Sequence, residues 1–170
     1  MFLSLALLAT PPAPPPSPPP PSGPCAAPEA AQMDFWVGEW DLSWEGGSGR
    51  NSIVRTLGGC VIEERFTDHA PGGLVGRSHS VRVARAGQWR QTWVDDKGGY
   101  IALAGGPQAD GSFVLEAVRP SPAAPELRMV FADIRPAALT WRWQKKEADG
   151  RWVDQWVIRY ARRGAPAPAP

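Results

Sequence analysis

Residues 33–44 read MDFWVGEWDLSW, with three tryptophans at Trp36, Trp40 and Trp44. Trp40, Leu42 and Trp44 alternate with Asp41 and Ser43, and a two-residue period is that of a strand with one buried face and one more polar face. These rings are either a binding surface or the wall of a core. The same period recurs downstream. Trp89, Gln91 and Trp93 form one row, Phe113, Leu115 and Ala117 a second, and Leu127, Met129 and Phe131 a third. Leu139, Trp141 and Trp143 follow, and then Trp152, Asp154, Trp156, Ile158 and Tyr160.

Between these rows lie EGGSGR, LGG, APGGLVG, RAGQ, DDKGG, GGPQADGS, RPSPAAPE, IRPAA and EADGR. Glycine supplies positive φ and Asp tolerates tight bends, so these segments read as turns. Ten strands are predicted, at 35–45, 50–57, 60–66, 74–84, 88–95, 99–105, 112–119, 126–134, 138–146 and 151–161. A helical period is confined to about one turn around Glu29–Phe35. Short connections imply antiparallel neighbours. An open sheet of this width exposes its edges, whereas closure removes them. The expected fold is all-β, an antiparallel up-and-down barrel of about ten strands, wide enough to leave room for a small ligand.

The chain of 170 residues divides by composition. No charged side chain precedes Glu29, and half of the twenty prolines lie between Pro11 and Pro24. Such a tract favours extended polyproline II and has little apolar surface to bury. Before it, FLSLALLA resembles the apolar core of a secretory signal, although no Lys or Arg precedes it, and it is far short of the about 20 residues that span a bilayer. Residues 1–28 are therefore read as a signal-like segment and a proline-rich spacer, 29–163 as one barrel domain, and 164–170 as an Ala/Pro tail. The expected location is periplasmic or secreted.

A net charge of +1, spread without long runs, argues against nucleic acid or an anionic membrane as partner. No transmembrane helix is expected, and nothing in the sequence sets an oligomeric state. Cys25 and Cys60 are too few for a zinc site and have no histidine beside them. In an oxidising compartment they can pair, closing a loop of about 35 residues; otherwise they are two free thiols.

The chain resembles a bacterial family of mostly exported calycin-like proteins of unknown function, related in outline to lipocalins, fatty-acid-binding proteins and nitrobindins. The resemblance spans almost the whole domain. It rests on DFWVGEW, on Asn51-x-Ile53 with GCVIEERF, on Gly76–Ser78, on WRQTWVDDKG at Trp89–Gly98, on DGRW, and on Tyr160-x-Arg162. It implies a ten-stranded barrel and a cysteine pair matching Cys25 and Cys60, but no activity. Trp141 stands where the family pattern often has Gln, which implies a more apolar cavity in this chain.

Several polar residues fall on apolar strand faces. Glu64 shares parity with Ile62 and Phe66, and Gln91 lies between Trp89 and Trp93. A buried carboxylate is costly unless paired, so an inward Glu64 calls for a guanidinium such as Arg128. The cavity candidates are Trp40, Glu64, Ser78, Gln91, Trp93, Arg128 and Trp141. His79 has the parity opposite to Ser78 and His69 falls in a loop, so haem ligation is not expected; no cofactor or metal is. The sequence holds no G-x-S-x-G, HExxH or G-x-G-x-x-G. The leading expectation is an exported barrel whose interior binds a small, largely apolar molecule. The alternatives are an isomerase, hydrolase or lyase using an inward Glu64/Arg128 pair, and a filled barrel that binds a protein partner.

Overall fold

A computed structural model of the protein describes residues 25–164. The signal-like segment, the spacer up to Pro24 and the tail beyond Gly164 lie outside the described residues. Ten strands follow in order: β1 (Gly38–Trp44), β2 (Gly47–Thr56), β3 (Val61–Asp68), β4 (Val75–Val83), β5 (Gln88–Asp95), β6 (Tyr100–Pro107), β7 (Phe113–Ala117), β8 (Leu127–Arg135), β9 (Ala138–Lys146) and β10 (Trp152–Arg162). Each pairs antiparallel with its sequence neighbours, and β1 pairs with β10 to close the barrel. This is the up-and-down architecture that the alternation predicted.

Three local readings are corrected. EGGSGR and GGPQADGS are not wholly turns: Gly47 and Gly49 lie in β2, and Gly105 and Gly106 in β6. The first strand begins at Gly38, not at residue 35, because Asp34–Trp36 form a 3₁₀ turn, preceded by another at Pro28–Ala31. Gly38 permits the change of direction: its φ is +137°, and a Cβ there would meet the Arg162 guanidinium at 2.1 Å. The tryptophan row of β10 is also not one face. The register against β9 shifts between Asp154 and Trp156. This bulge leaves Asp154 outside, bonded to Arg142 and Gln144, and turns Trp156 inward.

The two barrel ends differ. At the end that holds the β2–β3 turn, residues 25–37 fold across the opening as a plug. Met33 and Trp36 are fully buried, and Phe35 packs on Phe113 and Phe131 with centroids 5.8 and 5.5 Å apart. Burial of such side chains contributes roughly 1.5–3 kcal/mol each. A disulfide joins Cys25 to Cys60 just before β3. Arg55 pairs with Asp34 and donates to Ala30 O and Gly59 O at 2.6 Å. Arg162 donates to Val37 O at 2.8 Å and Phe35 O at 3.2 Å while its guanidinium lies 4.1 Å over the Trp40 ring. The opposite end carries the β3–β4, β5–β6, β7–β8 and β9–β10 connections and has no plug among the described residues. No helix among them is long and apolar enough to cross a membrane.

Candidate functional site: an aromatic cavity with a buried carboxyl

The nine tryptophans divide into three groups. Trp36, Trp40 and Trp89 are fully buried in or beside the plugged end. Trp93, Trp141, Trp143 and Trp156 line a cavity of about 200 Å³ toward the other end, and Trp44 packs on Trp156 and Phe66 behind it. Trp152 is outside. The opening stretch thus supplies plug and core, while the cavity wall comes mostly from later strands.

The wall is a chain of aromatic contacts. Trp93 meets Phe66 edge-on at 6.0 Å, Phe66 meets Trp156 at 5.9 Å, Trp156 meets Trp141 at 5.8 Å, and Trp141 stacks on Trp143 at 6.4 Å. Leu103, Met129 and Ile158 fill the remaining depth, and Leu74 and Ile101 lie at the rim. Gly76 makes this possible at Trp93: a Cβ on residue 76 would lie 2.1 Å from the indole carbons, so only glycine leaves space for the ring against β4. About 150 Å³ of apolar space accepts benzene, whereas drug-sized ligands need roughly 300–1,000 Å³. The cavity therefore suits a molecule of one small ring or an equivalent aliphatic body.

Two polar groups reach its floor, the Glu64 carboxyl and the Tyr160 hydroxyl, both buried. Asn51, fully buried on β2, donates from Nδ2 to Glu64 Oε1 at 2.6 Å and to the Tyr160 hydroxyl at 3.0 Å. Ser78 donates to Glu64 Oε2 at 2.5 Å, and Gln91 Nε2 donates to Ser78 Oγ at 3.0 Å. Burial disfavours the charged carboxylate and pushes Glu64 up to about 7, against the opposing pull of the Ser78 and Asn51 hydrogen bonds. Burial, and then the adjacent Glu64 charge, push the Tyr160 hydroxyl up as well, so it stays protonated. Asn51 Oδ1, Gln91 Oε1 and Ser80 Oγ are buried with no hydrogen-bond partner among the described residues. The floor is thus a polar layer inside an otherwise apolar core.

Among the described residues Glu64 has no guanidinium partner. Arg128, expected to face it, alternates with the inward Met129 and so projects from the outer face of β8. Its Nε donates to Gln144 Oε1 at 2.7 Å and its guanidinium lies 4.1 Å over the Trp152 ring, while Glu116 on β7 is its cross-strand neighbour. An enzyme built on an inward Glu64/Arg128 pair is therefore not what this geometry offers. Of the other candidates, Glu64, Trp93 and Trp141 line the cavity; Ser78 and Gln91 stand behind Glu64. Trp40 is core, its Nε1 donating to Trp36 O at 2.7 Å. Asn51 and Tyr160, which carry part of the resemblance, are not among the cavity candidates expected from sequence, although each shares strand parity with a buried isoleucine, Ile53 and Ile158. It also placed Phe66, Trp143 and Trp156 in strand rows without assigning them to the cavity.

At the rim, Asp95 accepts from Trp93 Nε1 at 2.9 Å and from the Lys97 and Gly99 backbone N–H groups at 3.0 and 2.8 Å. These donors, the Trp93 N–H foremost, hold it below the usual aspartate range. His69 and His79 are both exposed and away from the cavity. No group of three or more His, Cys, Asp or Glu among the described residues is placed to hold a metal. The fold and site define a closed ten-stranded antiparallel barrel with one plugged end and one aromatic cavity. Neither a protein-family model nor a curated protein matches the chain.

Proposed function

We propose that the protein is a calycin-like binding barrel, exported to an oxidising compartment, that holds a small, largely apolar molecule in its interior. The observation that carries this reading is the cavity itself. Four tryptophans and Phe66 supply a large apolar wall, and a hydrogen-bonded carboxyl and a hydroxyl lie at its floor. Small-molecule sites commonly combine a mostly apolar lining with a few placed polar groups that fix orientation. The Cys25–Cys60 disulfide supports an oxidising location, since such bonds persist outside reducing compartments.

The test is isothermal titration with benzyl alcohol, against the native protein and against Ile101→Trp. Ile101 is a part-exposed rim residue, so the larger ring fills the mouth without disturbing the closed end. Native protein is expected to bind with saturable one-to-one heat and the filled variant at least tenfold more weakly. Absence of saturable binding to the native protein would overturn the reading.

A further inference from the structure

The cavity holds charge of one sign only. Among the described residues its lining includes two carboxylates, Glu64 at the floor and Asp95 at the rim, and no Lys, Arg or His. The nearest basic side chain in the rim loop, Lys97, directs its ammonium to Asp96 Oδ2 at 3.2 Å. From the elements packed around Glu64 come Asn51, Ser78, Gln91 and Tyr160, of which only Tyr160 can titrate, and it carries no positive charge. Asn51 and Ser78 each occupy one carboxylate oxygen, which leaves acceptor capacity on both. The same cavity is lined by the indoles of Trp93, Trp141, Trp143 and Trp156 and by Phe66. Ring faces attract cations, and the attraction strengthens where water is excluded.

A buried carboxylate without a counter-ion among the described residues, in a cavity walled by aromatic rings, suits a small organic cation: one charge partner, several aromatic side chains and no competing positive group. We propose that the molecule bound in the cavity is a protonated amine on a compact hydrocarbon or single-ring body, its ammonium donating to Glu64 and lying against the surrounding indoles. The inference rests on the cavity being a binding site and adds the charge and chemical class of what fills it. Glu64 then completes its pairing from the ligand rather than from the chain. The rim carboxylate of Asp95, held ionised by its three N–H donors, adds the negative potential that draws a cation to the mouth.

Benzylammonium and benzyl alcohol have nearly the same shape and differ in charge, which separates this inference from the reading beneath it. Titrated at pH 8, the native protein is expected to bind benzylammonium at least tenfold more tightly than benzyl alcohol. Glu64→Gln is expected to abolish the preference while retaining benzyl alcohol. A second readout needs no variant. At pH 7 the Glu64 proton is partly in place and must leave before the ammonium pairs, so titration in two buffers of different ionisation enthalpy is expected to show proton release for benzylammonium alone. Equal binding of both probes, or tighter binding of the alcohol, would overturn the cationic ligand and leave the cavity reading standing. Binding of neither would overturn both.

Discussion

Ser78 donates its hydroxyl to Glu64 Oε2 over 2.5 Å, from the neighbouring strand and the same inward face. The register sets Glu64 directly opposite Ser78, and Gln91 continues the chain from β5. A carboxyl is thereby held at one orientation in the interior, where burial rather than a counter-ion governs its proton.

Glu64 has a signed effect on stability. Its folded value of about 7 lies above the 4.5 of an unperturbed glutamate, so the folded protein holds the proton more tightly than the unfolded chain. The resulting stabilisation is fully present below pH 4.5 and is lost as the pH rises through 7. The difference amounts to roughly 3 kcal/mol. Chemical denaturation of native protein and Glu64→Gln at several pH values checks this: native minus variant stability should fall by about that amount between pH 4.5 and pH 8. A difference that is flat with pH would show that Glu64 is solvated.

Gly76→Ala places a methyl group where the Trp93 indole lies. The ring must rotate, at a cost of about 1–3 kcal/mol for overpacking. Near-ultraviolet circular dichroism should change, and affinity for ring-bearing probes should drop, because Trp93 is part of the cavity wall.

Arg162→Lys should destabilise the plugged end. The planar guanidinium donates to Val37 O, Phe35 O and Pro136 O and covers Trp40. An ammonium cannot reproduce that fork. A loss of roughly 2 kcal/mol is expected from hydrogen bonds to a charged donor, with faster hydrogen exchange confined to residues 30–40 and the end of β10. Unchanged exchange in those segments would contradict the clamp.

Cys25→Ser removes the tie between the plug and the start of β3. Closing the loop, whose ends are 35 residues apart in sequence, stabilises by roughly 3–4 kcal/mol on the chain-entropy model. For a domain of this size the thermal midpoint should fall by on the order of 10 °C. Native protein under reducing conditions should fall equally, and the reduced variant should show no further loss.

Much of this fold was legible because alternation is a local property. The rows around Trp89–Trp93, Leu127–Phe131 and Leu139–Trp143 each fell on one face, and LGG, RAGQ and EADGR fell at or beside connections, whereas the glycines at 47, 49, 76, 105 and 106 lie inside strands. Closure followed from edge logic. What parity could not show was an irregularity: the bulge after Asp154 splits a row that reads as continuous, because both halves carry tryptophan. Glu64 and Gln91 could be picked out from sequence because each interrupts an apolar face, whereas Ser78 lies between Gly76 and Ser80 and was carried by the resemblance. Arg128 was misplaced for a related reason. Its neighbours are apolar, but it alternates with Met129 and Phe131, which are the residues that face inward. Asn51 carried part of the resemblance but was not assigned to the site, because its strand, GSGRNSIVRT, is polar enough to hide a buried amide.

A small organic cation held through Glu64 would be visible directly in the barrel. The most direct measurement is a crystal structure of the native protein soaked in 4-bromobenzylamine, with the bromine located by its anomalous signal. One strong peak is expected within the barrel on the rim side, among Trp93, Trp143 and Trp156, with the ammonium at the floor within hydrogen-bond distance of Glu64. An interior closed by rotated indoles, with no bromine inside the barrel, would contradict it.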